Sequence, residues 1–289
     1  MKCIVNMACG LANRMFQYSY YLYLRQLGFD VQVDFCTSAK LSHEYVLWDK
    51  IFPNASFEQA LYKDVFRLGG GSDICSKFCR SFLPFLTNVQ IMPTAFDAQL
   101  PSGKKEEYII GVFQNATMVE SLGNAVKQSF VFSAMEGQYN LNLMKCFAKE
   151  ESVAVHVRKG EDYLQRKWYK NTCLIEYYHK AVALMCENLN DPRFYVFTDN
   201  PEWVENNFTG FDYVQVEGNP IEGWGSHFDM QLMSCCKHNI ISNSTYSWWA
   251  AFLNENHDKL VICPKIWFNP ESCTEFVSDR LLCKDWITF

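Results

Sequence analysis

The chain has 289 residues, 49% of them hydrophobic and 16% aromatic, with a formal net charge of −6. That length suits two domains with sizeable cores. The acidic balance excludes a general nucleic-acid binder, so any bound anion needs a local site, and no stretch approaches the roughly 20 consecutive apolar residues of a membrane span. Residues 2–6 read as a first strand, without the apolar run and cleavage site of a signal peptide. Gly10 to Arg14 reads as a turn opening a helix that runs to about Leu27 and ends at Gly28, with a second strand over 29–35. Strand, turn, helix and strand make the unit of a parallel sheet. Residues 36–105 are less regular, and Gly69-Gly70-Gly71, Pro84, Pro93 and Pro101 mark loops. A short strand is expected at 108–112, then helical signals and polar turns to 150.

A second α/β pattern starts near Ser152. It has strands at 153–158, 193–197, 211–216 and 259–263, and helices at 173–189 and 228–237. The division expected is therefore 1–150 and 151–289, each half resembling a nucleotide-binding α/β unit, with ligand at the carboxyl ends of the strands in the crevice between them. The 13 cysteines lack framework spacing, and no Cys-x-x-Cys occurs. Buried free thiols in a reducing compartment, the cytoplasm, account for them best.

The run from His238 to Leu253 is the most informative segment. Ile240 and Ile241 end a buried strand, Asn243, Ser244 and Thr245 are helix-capping types, and an apolar helix follows from Tyr246. A helix start carries unpartnered N–H groups and the positive end of the dipole, so this arrangement serves either as an ordinary cap or as an anion site suited to phosphate. Trp248 and Trp249 point in different directions on that helix and read as core, not as a sugar-stacking platform. Two further strand ends carry polar groups, His156/Arg158 and Thr198/Asp199. Arg158 offers a planar fork of donors suited to a diphosphate, or else forms a structural ion pair. His156 reads as a hydrogen-bonded core residue or a catalyst. Asp199 suits a ribose or base contact, or a cap on the helix after Pro201. Glu161 and Asp162 are solvated loop acids or contain a general base. Asn13 and Arg14 sit in the first turn, which is neither a dinucleotide fingerprint nor a Walker loop. No Asp-x-Asp occurs, so a metal clamped on a diphosphate is not signalled.

Five ordered blocks resemble one family across the whole chain. Ala8-Cys9-Gly10-Leu11-Ala12-Asn13-Arg14-Met15-Phe16-Gln17-Tyr18 is similar to the Gly-Gly-Leu-Gly-Asn-Gln-Met-Phe-Gln-Tyr opening of the bacterial α-1,2-fucosyltransferases of glycosyltransferase family 11. His156-Val157-Arg158-Lys159-Gly160-Glu161-Asp162-Tyr163 resembles that family's His-x-Arg-Arg-Gly-Asp-Tyr, and Tyr195 to Asn200 its Phe-x-Phe-Ser-Asp-Asp. The stretch from Asp229 to Ala251 and the tail segments at Pro264 to Trp267 and Cys283 to Trp286 also fit.

The resemblance implies an α/β fold of the GT-B type, two Rossmann-like domains facing each other across a cleft, with an acceptor-side first domain and a GDP-fucose-binding second one. It implies an inverting, metal-independent transfer of L-fucose from GDP-L-fucose to the 2-OH of a terminal β-galactose, in lactose or a glycan chain. No cofactor, metal or nucleic acid is expected, and membrane contact would be peripheral at most. Arg158 would hold the β-phosphate, and Ser244, Thr245 and Ser247 with Asn243 the phosphates. Thr198 and Asp199 would meet the nucleoside side, His156 and Lys159 would also face the donor, and Asn13 would sit near the reacting centre. Arg14 would lie on the acceptor side. Asp162 is favoured over Glu161 as a base because Tyr163 still follows it. Ala12, Arg14 and Lys159 depart from the family's glycine, glutamine and second arginine; Lys159 keeps charge but loses the fork. The rival readings are a GDP-fucose-dependent transferase of another linkage or with a protein acceptor, and a silent nucleotide-sugar-binding protein.

Overall fold

Parallel strand pairing organises both parts of the chain in the computed structural model, which describes residues 1–35, 42–71, 74–272 and 278–289; the side chains of residues 42–46, 162 and 278 lie outside that description. The chain divides into two compact units, Met1–Ser133 and Ala134–Phe289.

The first unit runs β1 (Lys2–Asn6), α1 (Leu11–Gln26), β2 (Asp30–Asp34), α2 (Ser42–Ile51), α3 (Tyr62–Leu68), α4 (Ile74–Phe82), β3 (Val89–Ile91), β4 (Glu106–Ile110), α5 (Ala116–Ser121) and α6 (Asn124–Ser129). Its strands lie in the order β2-β1-β4-β3, all parallel. Helix α1 forms where the sequence predicts it. It buries Met15, Phe16, Tyr20 and Leu24, and Gly28 just beyond it takes the left-handed φ of 86° that lets the chain leave a helix. Helices α3 and α4 and strand β3 lie in the stretch that read as irregular; β3 is three residues long, too short to show an alternation. The Tyr108 hydroxyl donates to Asp34 Oδ2 at 2.7 Å and accepts from Asn6 Nδ2 at 2.8 Å, so one phenol ties β1, β2 and β4 together.

The second unit continues with α7 (Gln138–Lys149), β5 (Glu151–Val157), α8 (Glu161–Leu164), α9 (Ile175–Asn188), β6 (Pro192–Thr198), α10 (Pro201–Asn207), β7 (Tyr213–Gln215), α11 (Phe228–Cys235), β8 (His238–Ile240), α12 (Thr245–Leu253), β9 (Val261–Cys263) and β10 (Ile287–Thr288). The division falls before α7 because that helix packs on its own strand: Phe147 meets Tyr195 edge-on, and Ser152 Oγ donates to the Phe147 carbonyl at 3.0 Å. The sheet order is β10-β9-β8-β5-β6-β7, all parallel. The chain winds outward from β5 to β7 on one side and from β8 to β10 on the other, which makes β5/β8 a topological switch point. Val153, Val155 and Val157 share one hydrophobic core with Tyr178, Ala181 and Met185 of α9. Trp248 and Trp249 are both fully buried, and Trp248 stacks on Phe252 at 5.1 Å, so the core reading of that pair holds. The helix expected over 228–237 stops at Cys235 because the chain must extend into β8 at His238. Among the described residues every cysteine is free.

Gly70 lies against the pinned Tyr108 ring, and a Cβ there would overlap its carbons. Gly70→Ala should therefore lower unfolding stability by about 1–3 kcal/mol in denaturant titration. An unchanged midpoint would show that the ring gives way despite its two hydroxyl bonds.

Candidate active site

The register of the second sheet brings three chain exits to one edge. Val157 pairs with Thr198 and Val155 with Ile240, so the segments after β5, β6 and β8 leave the same side. Ligands of doubly wound sheets bind at this carboxyl edge, at the switch point.

Charge at this edge is arranged around Asp199. Its Oδ2 pairs with Arg158 Nη1 at 2.6 Å, and its Oδ1 accepts the Lys159 backbone N–H at 2.7 Å. Asp199 thus holds Arg158, whose side chain keeps 32% of its surface in solvent. The alternative role of Asp199 as a helix cap falls to its neighbour. Asn200 accepts the Trp203 N–H at 3.0 Å, with Pro201 at the first helical position, and its Nδ2 donates to the Lys159 carbonyl at 2.8 Å. Thr198 Oγ1 accepts the Asn200 N–H at 3.0 Å.

Asn243 joins the β8 exit to the loop that follows β5. Its Oδ1 accepts from Tyr163 Oη at 2.6 Å and Cys173 Sγ at 3.2 Å, while its Nδ2 donates to Thr172 Oγ1 at 3.1 Å and the Trp267 carbonyl at 2.8 Å. An amide has two donors and two acceptor lone pairs, and all four are used. Lys159 is 5% exposed. Its Nζ donates to the Thr172 carbonyl at 3.1 Å and lies over the Tyr163 and Trp203 rings at 5.4 and 5.2 Å. Burial lowers its pKa, opposed by the Asp199 carboxylate. Asn171 and Cys173 hold left-handed φ angles of 61° and 43°, backbone strain that this network over-determines.

Ser244 is the N-cap of α12: its side chain accepts the Tyr246 N–H at 3.3 Å. Ser244 and Thr245 are half-buried at the helix start, whereas Ser247 is fully buried with its hydroxyl turned back to the Ser244 carbonyl at 3.3 Å. The expected phosphate contacts of Asn243 and Ser247 therefore meet side chains already occupied by the protein. His156 is buried and shares a 2.8 Å hydrogen bond between Nδ1 and Ser242 Oγ, which links β5 to the β8 exit.

The remaining predicted residues lie elsewhere. Asp162 is on α8 by its backbone, but its side chain is outside the described residues; Glu161 is exposed. Asn13 and Arg14 belong to the first unit. Asn13 Oδ1 accepts from Gln114 Nε2 at 3.0 Å, and Arg14 is 5% exposed with its guanidinium 4.7 Å from the Phe35 ring centre, not solvated in a loop. Sequence reading missed Ser242, Thr172 and Asn200 as organisers. The Asn-Pro pair was a legible signal for the Asn200 cap, while Ser242 and Thr172 act only through tertiary partners. It also missed an amide chain beside a cavity of about 660 Å³ lined in part by Glu136, Gln215, Glu217 and Phe228. There Asp229 Oδ1 accepts from Asn219 Nδ2, and Asn219 Oδ1 accepts from Asn140 Nδ2 at 2.9 Å.

Burial, with Arg158 adding to it, pushes the His156 imidazole from its usual 6.5 down to about 3. Between those two values the unfolded chain binds a proton that the folded chain does not, so stability is lost as pH falls below 6.5. His156→Asn should lose about 2 kcal/mol less stability than the wild type between pH 6.5 and pH 5, measured by urea unfolding. Parallel pH slopes would show that the folded protein protonates His156.

An O-antigen biosynthesis glycosyltransferase, WbnK, from Escherichia coli is 32% identical to this chain over 180 residues, 59% of this chain and 58% of the relative. An alpha-1,2-colitosyltransferase from Escherichia coli is 35% identical over 132 residues, 43% and 44% of the two chains. Galactoside alpha-(1,2)-fucosyltransferase 1 of Rattus norvegicus is 34% identical over 105 residues, 35% of this chain and 27% of the relative. The chain thus spans less than two thirds of each of these relatives. Among solved structures, Se-Met fucosyltransferase NodZ from Bradyrhizobium superposes with a TM-score of 0.50 at 14% identity, covering 87% of this chain and 91% of that one, a likeness of fold. The fold is of the GT-B type, as the resemblance implied. The family model of glycosyl transferase family 11 matches residues 89–289, more than half of the sequence, and the chain belongs to that family.

Proposed function

We propose that the chain transfers L-fucose from GDP-L-fucose to the 2-OH of a terminal β-galactose, with inversion and without a metal ion. The observation that carries the reading is Arg158, held by Asp199 at the switch point of the second unit, on the same sheet edge as the Ser244-capped start of α12. Family membership and the likeness to a galactoside alpha-(1,2)-fucosyltransferase support the donor and linkage.

In this reading the acceptor oxygen attacks the anomeric carbon from the face opposite GDP. The bond from that carbon to the β-phosphate oxygen breaks, and its electron pair leaves with GDP. Negative charge grows on the β-phosphate, where a preorganised guanidinium and the positive end of a helix dipole stabilise it. Ser244 and Thr245 add hydroxyl donors; Asp199 and Asn243 act as positioning residues. The acceptor proton passes to Asp162 if that carboxylate reaches it, and otherwise to water, which a loose transition state tolerates. The carboxylates and amides around the cavity beyond β7 suit a base rich in N–H donors, as guanine is. In this reading Asn13 lies near the reacting centre and Arg14 on the acceptor side.

Purified protein incubated with GDP-L-fucose and lactose should yield α-1,2-fucosylated galactose, assigned by NMR, and should do so in EDTA. Loss of activity restored by Mg²⁺ or Mn²⁺ would overturn the metal-free part. Arg158→Ala should lower kcat by about 100-fold or more, and near-normal turnover would remove Arg158 from leaving-group stabilisation. A second reading, transfer of colitose, is favoured by the likeness to the colitosyltransferase; preference for GDP-colitose in a competition assay would replace the first. A different product linkage, or tight GDP binding without transfer to any acceptor, would mark the remaining rivals.

A further inference from the structure

Helix α4 turns its apolar side outward. Ile74, Phe78 and Phe82 recur every fourth residue, so they form one stripe along the helix, and they are 86%, 53% and 69% exposed. Ser76 is the buried residue of this helix, the inverse of the arrangement a core-packed helix adopts. The 3-10 turn Pro84–Leu86, which follows α4, carries exposed Phe85 and Leu86, and α3 carries exposed Tyr62 and Phe66. This face is fastened to the fold: Arg80 Nη1 donates to the Gly71 carbonyl at 2.7 Å and also to that of Gly69, at the end of α3. An exposed row of three large apolar side chains on one helix marks an interaction site.

Charge selects the partner. Lys63 and Lys77 are exposed on α3 and α4, and the acid of α3, Asp64, is already paired with Lys2 and Arg67. Among the described residues the face is therefore apolar and basic, in a chain whose net charge is −6. In a two-fold contact with a second copy, a face of this charge would meet a face of the same charge. No helix among the described residues is long and apolar enough to cross a membrane.

We propose that this face docks on an anionic lipid bilayer, with the Ile74, Phe78 and Phe82 stripe at the boundary of headgroups and acyl chains and the lysines on the lipid phosphates. The full chain should co-sediment with phosphatidylglycerol-containing vesicles, bind phosphatidylcholine vesicles at least 10-fold more weakly, and be released by high salt. Phe78→Glu with Phe82→Glu should reduce binding to anionic vesicles at least 10-fold and leave the circular dichroism spectrum and turnover on a soluble acceptor unchanged. Lys63→Glu with Lys77→Glu should remove the preference for anionic lipid. Absence of wild-type binding, undiminished binding by the phenylalanine variant, or a dimer that this variant dissociates in place of lipid binding would each overturn the proposal.

Discussion

The carboxyl edge of the second unit depends on the saturation of one buried amide. Asn243 satisfies both acceptor and both donor positions with Tyr163, Cys173, Thr172 and Trp267, drawn from three separate parts of the chain. Removing any partner would strand a buried polar group, and that asymmetry makes such a network hold one geometry. It keeps the loop after β5 closed on the β8–α12 turn, with Asn171 and Cys173 in strained backbone conformations. The last turn before α12 is thus set from the side, and Ser244 is left to cap the helix.

Electrostatics at this edge is local. A chain of net charge −6 repels anions at a distance, so affinity for a diphosphate has to come from groups already aimed at one place. Arg158 and Lys159 are adjacent cations with separate fates. Arg158 is held by Asp199 and faces solvent, whereas Lys159 is buried over two aromatic rings and serves the loop. Geometry accounts for the division. Both lie just past β5, where Asp199 holds the Arg158 guanidinium and the Lys159 N–H while the Lys159 ammonium turns to the Thr172 carbonyl. A planar guanidinium can bind a carboxylate with one edge and present the rest, which an ammonium on a flexible stem cannot.

The first unit has its own polar keystone in Tyr108, and its motif residues are used inward. Gln17 accepts the Ala8 N–H at 2.8 Å and donates to the Gly111 carbonyl at 2.9 Å, fixing the turn after β1 to the end of β4. Arg14 is packed on Phe35. The conspicuous motif of this unit therefore shapes a turn, while the outward apolar character lies on α4, in the stretch without a motif.

Most of the architecture was legible because its determinants are local. Strand, turn and helix α1, the strand at β5, and the capped helix after β8 all follow from periodicity, capping types and the absence of breakers. The edge shared by Arg158, Asp199 and Ser244 was legible too, because parallel strands of a doubly wound sheet must exit on one side. Helices α3 and α4 and strands β3 and β10 were not, being short and either reversed in amphipathicity or too brief for a period. Nor could local pattern distinguish the polar residues of one motif. Asn243, Ser244 and Ser247 read alike as hydroxyl and amide groups at a helix start, yet two are consumed by the interior and one remains at the surface. The sequence by itself determined the parallel α/β frame and the kinds of group at its carboxyl edge. The tertiary structure decided which of those groups are spent on holding the edge together, because hydrogen-bond saturation depends on partners 70 or more residues away, such as Cys173 and Tyr163 for Asn243.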